Sequence, residues 1–240
     1  MIACGCATCT SADPRDTRLR PSVFIERADG TSLLIDASPD LRAQALRHGI
    51  RRVDGILFTH AHADHVLGLD ETRRFTALQG GTMKCYGDSE TIAEVGHVFA
   101  YAFRGGPEGG GVPRLELIPV SAPFEAAGQR VVPIPVFHGE LPIFGYRLGS
   151  FAYVTDCSRI PESSWRLLQG VRVLVMDALR HTPHPTHFTL GQALDAVARI
   201  GPERALLTHI SHDLGHAATS ACLPPNVELA YDGLIVDVEL

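Results

Sequence analysis

Short apolar runs alternate with helical patterns along most of the 240 residues. Apolar runs bounded by turn residues predict strands, and apolar positions spaced by three and four predict helices. The predicted strands are 22–28, 32–37, 53–59, 114–120, 130–137, 143–148, 151–155, 171–177, 204–208 and further segments within 227–238. The predicted helices are 38–48, 66–78, 89–103 and 190–200. This interleaving of strands and helices predicts an α/β fold.

Capping residues define the ends of several predicted helices. Ser38 is expected to cap the first helix, with Pro39 at its first helical position and Gly49 after its end. Thr189 is expected to cap the helix over 190–200 in the same way.

Residues 104–113 contain five glycines and two prolines, a composition that predicts a mobile loop. Such a loop could be a lid over a site or a surface insert, and most loops of this kind have no special role. We interpret it as a surface insert.

The two halves of the chain share a short pattern. The first half has SLLIDAS followed by GILFTHAH, and the second has FAYVTDCS followed by ALLTHISH. In each half, a predicted strand is followed by Asp, a small residue and Ser, and a later strand is followed by Thr and His. The pattern suggests two related β-rich halves that share one site. Because no linker separates them, we predict a single domain over 1–240, with 1–21 as a cysteine-bearing N-terminal segment.

Charge and hydropathy exclude some functions. The formal net charge is −6, Lys84 is the sole lysine, and there is no basic run, which argues against broad nucleic-acid binding because such binding neutralises phosphates. No apolar run approaches the roughly 18 residues of a membrane span. The first residues lack the basic start and apolar stretch of a secretory signal. We therefore expect a cytoplasmic protein with reduced thiols and no membrane partner.

A cluster of metal-ligating residues follows the predicted strand 53–59. The segment reads THAHADH and contains His60, His62, Asp64 and His65. In an extended chain His60 and His62 point the same way, so they can face one ion. A turn into a helix near Asp64 lets Asp64 and His65 face a second ion. Imidazole and carboxylate ligands suit zinc, manganese or iron.

A second cluster lies at the N-terminus. Cys4, Cys6 and Cys9 place three thiols within six residues, and a loop this short disfavours a disulfide between the first two. Closely spaced thiolates suit tetrahedral zinc with a fourth ligand from elsewhere. Free thiols on a frayed terminus are the alternative.

The HxHxDH motif after an apolar strand resembles the metallo-β-lactamase superfamily. The resemblance covers residues 22–232 and implies a four-layer αββα sandwich. It also implies two divalent ions, zinc or manganese. One ion would bind His60, His62 and His138, and the other would bind Asp64, His65 and His209. Asp156 would bridge the ions, and Asp36 matches an aspartate that contacts the ligands rather than the metal.

The N-terminal CxCxxC and the late run LTHISH are similar to the PhnP-type cyclic-phosphodiesterase branch of this superfamily. The resemblance implies one structural zinc held by Cys4, Cys6, Cys9 and His212. The chain departs from the family at its start, where only three residues precede Cys4 instead of a strand and a glycine-rich turn.

The histidines at 181, 184 and 187 form a third cluster. In the family, a histidine before the following helix lies near the phosphate and can act as an acid, and His187 occupies that position. The catalytic residues implied are therefore His187 and the ligand Asp64. We interpret His181 and His184 as solvated loop residues, and His48, His97 and His216 as surface or structural residues.

The expected function is hydrolysis of small cyclic or linear phosphodiesters, such as phosphoribosyl cyclic phosphates, with a metal-bridging hydroxide as nucleophile. The alternatives are a thioester or lactone hydrolase, a tRNA 3′-processing ribonuclease, and a metal-binding scaffold without activity, because fold alone does not fix activity. Homodimerisation stays open.

Overall fold

The structure is a computed structural model of the 240-residue chain, and it describes residues 1–104 and 111–240. The chain divides into two compact units. The first unit is Arg20–Arg130, and the second unit is Met1–Leu19 together with Val131–Leu240. The glycine-rich loop predicted over 104–113 lies mostly outside the described residues. The interpretation as one domain stays a prediction.

The first unit contains a five-stranded sheet of order β1-β2-β3-β4-β5. Its strands are β1 (Val23–Glu26), β2 (Ser32–Ile35), β3 (Gly55–Leu57), β4 (Met83–Gly87) and β5 (Leu115–Pro119). Its helices are α1 (Leu41–His48), α2 (Ala63–Val66), α3 (Arg73–Gln79) and α4 (Ser89–Val98), with short 3-10 helices at Leu69–Thr72 and Ala100–Phe103. The pair β1 and β2 is antiparallel, and the pairs from β2 to β5 are parallel.

The parallel strands explain where the polar residues of this unit lie. All four residues of β2 and all three of β3 are buried, as expected for parallel strands covered on both faces. Their core neighbours include Leu41, Val66 and Val95 from the helices. Because β2 and β3 run parallel, the residues that follow them emerge at the same edge of the sheet.

The other sheet has seven strands in the order β12-β11-β10-β9-β8-β7-β6. The strands are β6 (Phe124–Ala126), β7 (Gln129–His138), β8 (Leu141–Leu148), β9 (Phe151–Val154), β10 (Val173–Asp177), β11 (Arg204–Thr208) and β12 (Val227–Leu229). The helices of the second unit are α5 (Glu162–Trp165), α6 (Leu190–Ile200) and α7 (His216–Ser220), with 3-10 helices at Pro14–Asp16 and Arg166–Leu168. Strands β9 to β12 pair in parallel, while β7, β8 and β9 pair antiparallel.

Helix α6 matches its sequence signals. The Thr189 hydroxyl accepts from the Gln192 backbone N–H, and the Gln192 side chain bonds back to the Thr189 backbone N–H, which makes a complete capping box. Gly201 ends the helix in the left-handed conformation, with φ of 68°. Ala193, Ala196 and Val197 pack into the core of the unit.

The segment predicted as one helix over 66–78 is helical but interrupted. The chain instead forms α2, a 3-10 turn and α3, because the Gly68 backbone N–H bonds to the Ala37 carbonyl at 2.9 Å rather than continuing a helical ladder. A Cβ on Gly68 would lie 1.9 Å from the Ser38 carbonyl oxygen, so only glycine permits this approach.

Three other boundaries differ from the prediction. Helix α1 begins at Leu41 because the Ser38 hydroxyl bonds to Gln44 and a turn precedes the helix. Helix α4 begins at Ser89 as predicted, with Asp88 as its cap, but it gives way to 3-10 geometry before residue 103. The last predicted strand ends at Leu229, where a turn closed by the Leu234 N–H and the Tyr231 carbonyl follows.

Strands β4 and β6 and helices α5 and α7 are further elements that the sequence patterns did not indicate. Among the described residues, no helix is long and apolar enough to cross a membrane.

Candidate metal centres

The predicted ligands of the first unit follow strand β3. His60 is buried, His62 is the exposed residue before α2, and His65 lies fully buried inside α2. The ring centroids of His60 and His62 are 4.5 Å apart, and those of His60 and His65 are 4.3 Å apart. The Asp64 carboxylate lies 3.8 Å from His65 Nε2 and 3.6 Å from the exposed Arg20 guanidinium. The structure therefore brings these four side chains together.

Asp36 organises this group from the end of β2. It is fully buried and adopts a left-handed backbone with φ of 63°, a conformation that few residues other than glycine adopt. Its Oδ2 accepts from His65 Nδ1 at 2.7 Å. Its Oδ1 accepts from the Thr59 backbone N–H at 2.9 Å. Asp36 thus contacts a predicted ligand, and His65 Nε2 is left as the ring atom that can bind a metal.

Thr59 connects the same carboxylate to a second ring. Its hydroxyl lies 2.8 Å from Asp36 Oδ2 and 3.0 Å from His60 Nδ1. Thr59 was not among the residues selected from the sequence, although it stands directly before the histidine motif.

The second unit places its predicted site residues at the ends of strands. His138 ends β7, Asp156 follows β9, and His209 follows β11. His187 lies just before α6, and the metal-binding atoms of His138, Asp156 and His187 lie within 4.8 Å of one another. Asp156 Oδ1 is 3.4 Å from His209 Nε2.

Backbone geometry and hydrogen bonds orient these side chains. Asp156 and His209 both adopt left-handed conformations, with φ of 52° and 54°. Strained residues of this kind concentrate at functional sites. His138 Nδ1 donates to the Thr186 carbonyl at 2.8 Å, so its Nε2 is the atom available for a metal.

Asp177 is a site residue that the sequence analysis missed. It ends β10 and is fully buried. Its Oδ2 accepts from the backbone N–H groups of Cys157 and Phe188 and from His187 Nδ1, at 3.1, 3.2 and 3.2 Å. Its Oδ1 lies 3.9 Å from His209 Nδ1. The signal was available, because Asp177 ends an apolar run in the same way that Asp36 and Asp156 follow theirs.

Burial dominates the electrostatics of Asp177. It raises the pKa of the carboxyl, and the hydrogen bond from His187 and the charges of His209 and His187 oppose the rise. The rings of His187 and His209 stack with centroids 4.7 Å apart and an interplanar angle of 15°. The buried Asp177 carboxylate therefore lies on the Nδ1 side of the stacked rings of His187 and His209.

His184 lies nearer to this group than a solvated loop residue would. Its ring centroid is 5.1 Å from that of His187, and the Thr186 backbone N–H donates to its Nδ1 at 3.3 Å. Burial lowers the pKa of His184, and the nearby His187 lowers it further. His181 is exposed, as predicted.

The three N-terminal thiols meet His212 within the second unit. Cys4 Sγ and Cys6 Sγ lie 3.3 and 3.4 Å from His212 Nδ1, and Cys9 completes a group whose ligand atoms lie within 4.8 Å of one another. Tetrahedral zinc with bonds of about 2.0–2.3 Å places its ligand atoms roughly 3.5–3.8 Å apart, so the two sulfur–nitrogen distances are slightly shorter than those that a bound zinc would set. All six cysteines are free thiols.

The thiol group also has the electrostatics of a metal site. The Cys9 backbone N–H and the His212 ring lower the pKa of Cys6 to about 6, which favours the thiolate that binds metal. Arg18 donates to the carbonyls of Ser211 and Leu214 at 2.7 and 2.6 Å, so the N-terminal segment is held beside His212.

The donor sets of both units fit divalent metals. Imidazoles whose Nδ1 atoms are engaged by oxygen, together with buried carboxylates, form the arrangement that supports metal-ligating histidines. Three thiols with one imidazole form a common structural zinc set.

Comparison with known families identifies the chain. The family described as the beta-lactamase superfamily domain matches residues 31–210. The chain belongs to the metallo-β-lactamase superfamily. The prediction of an α/β protein with the metallo-β-lactamase fold is thereby confirmed.

Solved structures of this superfamily resemble the chain over most of its length. A diphosphatase from the PhnP family is 44% identical, covers 100% of this chain and 92% of its own, and superposes with a TM-score of 0.92. Zinc-bound PqqB from Methylobacterium extorquens has a TM-score of 0.74 at 22% identity, with 99% and 95% of the two chains covered, and shows the fold alone.

Curated relatives that are similar in sequence are named for other activities than the PhnP-family structure. An octanoyltransferase of Porphyromonas gingivalis is 38% identical over 237 residues, which are 97% of this chain and 48% of that protein. A ribonuclease Z of Bradyrhizobium diazoefficiens is 48% identical over 63 residues, which are 25% of this chain and 21% of that protein. The chain thus spans about half or less of the length of these curated relatives. Membership of the superfamily implies divalent-metal binding.

Replacing Asp177 tests whether its carboxylate orients the stacked rings of His187 and His209. In Asp177→Asn, one carboxylate oxygen becomes an amide NH₂, which only donates hydrogen bonds. This NH₂ must face either the three N–H donors now at Oδ2 or the ring of His209. We expect divalent-metal affinity, measured by competition with a fluorescent chelator, to fall about 10–100-fold. Asp195→Asn, on the exposed face of α6, is the matched control. Unchanged affinity in a folded Asp177→Asn protein would show that the carboxylate does not orient these rings.

Proposed function

We propose that the chain is a dinuclear metal-dependent hydrolase of small phosphodiesters, cyclic or linear, such as phosphoribosyl cyclic phosphates. The observation that carries the proposal is the 44% identity to a PhnP-family diphosphatase across the whole chain. That protein is named for phosphoryl chemistry. The N-terminal CxCxxC and the LTHISH run add to the similarity with the PhnP-type branch.

The proposed ligand sets follow from superfamily membership, since the matched region includes all seven residues. The proposal assigns His60, His62 and His138 to one ion, Asp64, His65 and His209 to the other, and Asp156 to both. The local geometry of each unit supports it, because the oriented Nε2 atoms and the buried carboxylate occupy positions at strand ends.

When bound, a pair of divalent ions would supply Lewis-acid stabilisation of phosphoryl oxygens and lower the pKa of water to about 7. The protein must still protonate the leaving alkoxide. We assign this step to His187, whose Nδ1 donates to Asp177 and whose Nε2 lies 3.9 Å from Asp156 Oδ2. The buried Asp177 carboxylate accepts from Nδ1 of this ring and so orients its Nε2.

Acyl chemistry is the second candidate. The octanoyltransferase relative matches nearly the whole of this chain, which favours an acyl thioester or lactone as substrate. This chain corresponds to only 48% of that protein, so the remainder could carry the transferase activity. Ribonuclease Z relatives match between 22% and 59% of the chain, less than the octanoyltransferase does, and the net charge of −6 argues against RNA.

The diester proposal is tested with four substrates. The manganese-loaded protein is assayed on bis(p-nitrophenyl) phosphate, a ribose cyclic phosphate, a nucleotide diphosphate ester and an acyl thioester. We expect cleavage of the first two, and a loss of at least about 100-fold in kcat/KM in Asp156→Ala, because a shared ligand is removed. Asp195→Ala should retain the wild-type rate.

The outcomes of this assay separate the candidates. Cleavage of the thioester alone would contradict the diester proposal and support acyl chemistry. Cleavage of the diphosphate ester in preference to both diesters would move the substrate class to phosphoanhydrides.

We also propose that Cys4, Cys6, Cys9 and His212 hold one structural zinc. Cys9→Ser is expected to lose about one zinc per chain and to lower the Tm, because metal binding to such sites contributes directly to folding. Cys222→Ser, which changes an exposed thiol outside the group, should retain both properties. Zinc is counted by mass spectrometry of the native protein. A full zinc count in Cys9→Ser would contradict the assignment.

A further inference from the structure

Thr59 is the fully buried residue directly before the histidine motif. Two hydrogen bonds connect it to Asp36, one from its backbone N–H to Oδ1 and one from its hydroxyl to Oδ2. Its hydroxyl also lies 3.0 Å from His60 Nδ1. A buried threonine more often satisfies a backbone carbonyl, as Thr72 and Thr76 do in this unit by bonding to Leu69 and Arg73. Thr59 instead lies between a carboxylate and an imidazole.

The number of protons fixes the direction of these bonds. A carboxylate only accepts hydrogen bonds, so the single hydroxyl proton of Thr59 goes to Asp36 Oδ2. The hydroxyl then has only lone pairs to offer to His60 Nδ1. The 3.0 Å contact is a hydrogen bond only if Nδ1 carries the proton of the neutral ring. Nε2 of His60 is therefore the ring nitrogen that carries no proton, as metal coordination requires.

Asp36 Oδ2 also sets the tautomer of His65, in this case by direct contact with the ring. His65 Nδ1 donates to Asp36 Oδ2 at 2.7 Å, which leaves Nε2 of His65 with its lone pair. Asp36 Oδ2 thus accepts one hydrogen bond directly from His65 and one from the Thr59 hydroxyl, which in turn contacts His60. Removal of the hydroxyl would release only the ring of His60.

We propose that Thr59 is a positioning residue that sets the His60 tautomer and extends the control of Asp36 from His65 to His60. The inference rests on the proposed function only in treating His60 and His65 as metal ligands. Its physical content is the tautomer of the neutral His60 ring in the metal-free protein, which the hydrogen bonds of Thr59 set and no substrate affects.

The chain allows the hydroxyl to be removed with little other change. Thr59→Val keeps the shape of the side chain and the backbone N–H bond to Asp36 Oδ1 but deletes the hydroxyl. Thr59→Ser keeps the hydroxyl. Thr76→Val removes a hydroxyl from another buried threonine of the same unit, whose partner is a backbone carbonyl, and is the matched control for stability.

The test is ¹⁵N NMR of the histidine side chains in the metal-free protein, with the His60 signals assigned from a His60→Gln variant. We expect wild-type, Thr59→Ser and Thr76→Val proteins to carry the His60 proton on Nδ1. In Thr59→Val the ring should populate the Nε2–H form. His65 should stay protonated on Nδ1 in all four proteins.

Metal affinity gives the second readout, by competition with a fluorescent chelator. Thr59→Val should bind one divalent ion about 10–100-fold more weakly, and Thr59→Ser should restore the affinity. A wild-type His60 protonated on Nε2 would overturn the inference even if Thr59→Val fails to fold, as would a folded Thr59→Val protein with wild-type tautomer and affinity. Absence of diester cleavage in a protein with the expected tautomers would contradict the proposed function and leave the inference standing.

Discussion

Two buried carboxylates, Asp36 and Asp177, hold imidazole rings by their Nδ1 atoms, and the candidate chemistry of each unit depends on this contact. A buried carboxylate is costly unless N–H or O–H donors surround it. Backbone and side-chain donors meet this requirement at both positions. The donors orient the carboxylates, the carboxylates orient the rings, and Nε2 is the atom that remains for metal or substrate. The metal sites therefore depend on hydrogen bonds formed by the protein alone.

The strand ends explain why these groups lie where they do. Parallel strands that are buried on both faces place their following residues at one edge, where the chain turns sharply. Asp36, Asp156 and His209 all make that turn in the left-handed conformation. The first two occupy equivalent positions in the repeated strand, Asp, small residue and Ser pattern. The repeat is thus a repeat of backbone geometry as well as of residue type.

The sequence indicated much of this because the strong signals are local. Apolar runs predicted most strands, and Thr189 as the cap predicted the bounds of α6. The break in the helix after His65 could not be predicted, since the contact between Gly68 and Ala37 that causes it joins segments about 30 residues apart. Thr59 and Asp177 stand at recognisable strand ends, but their roles depend on partners from distant segments of the chain.

Anomalous diffraction from crystals grown with zinc or manganese is the most direct test of the central claim. We expect metal about 2.0–2.2 Å from the Nε2 atoms of His60 and His65, with both Nδ1 atoms still hydrogen-bonded to oxygen. Metal on Nδ1 of either ring, or an ion that leaves both rings uncoordinated, would contradict the claim that the buried carboxylates prepare these histidines for metal.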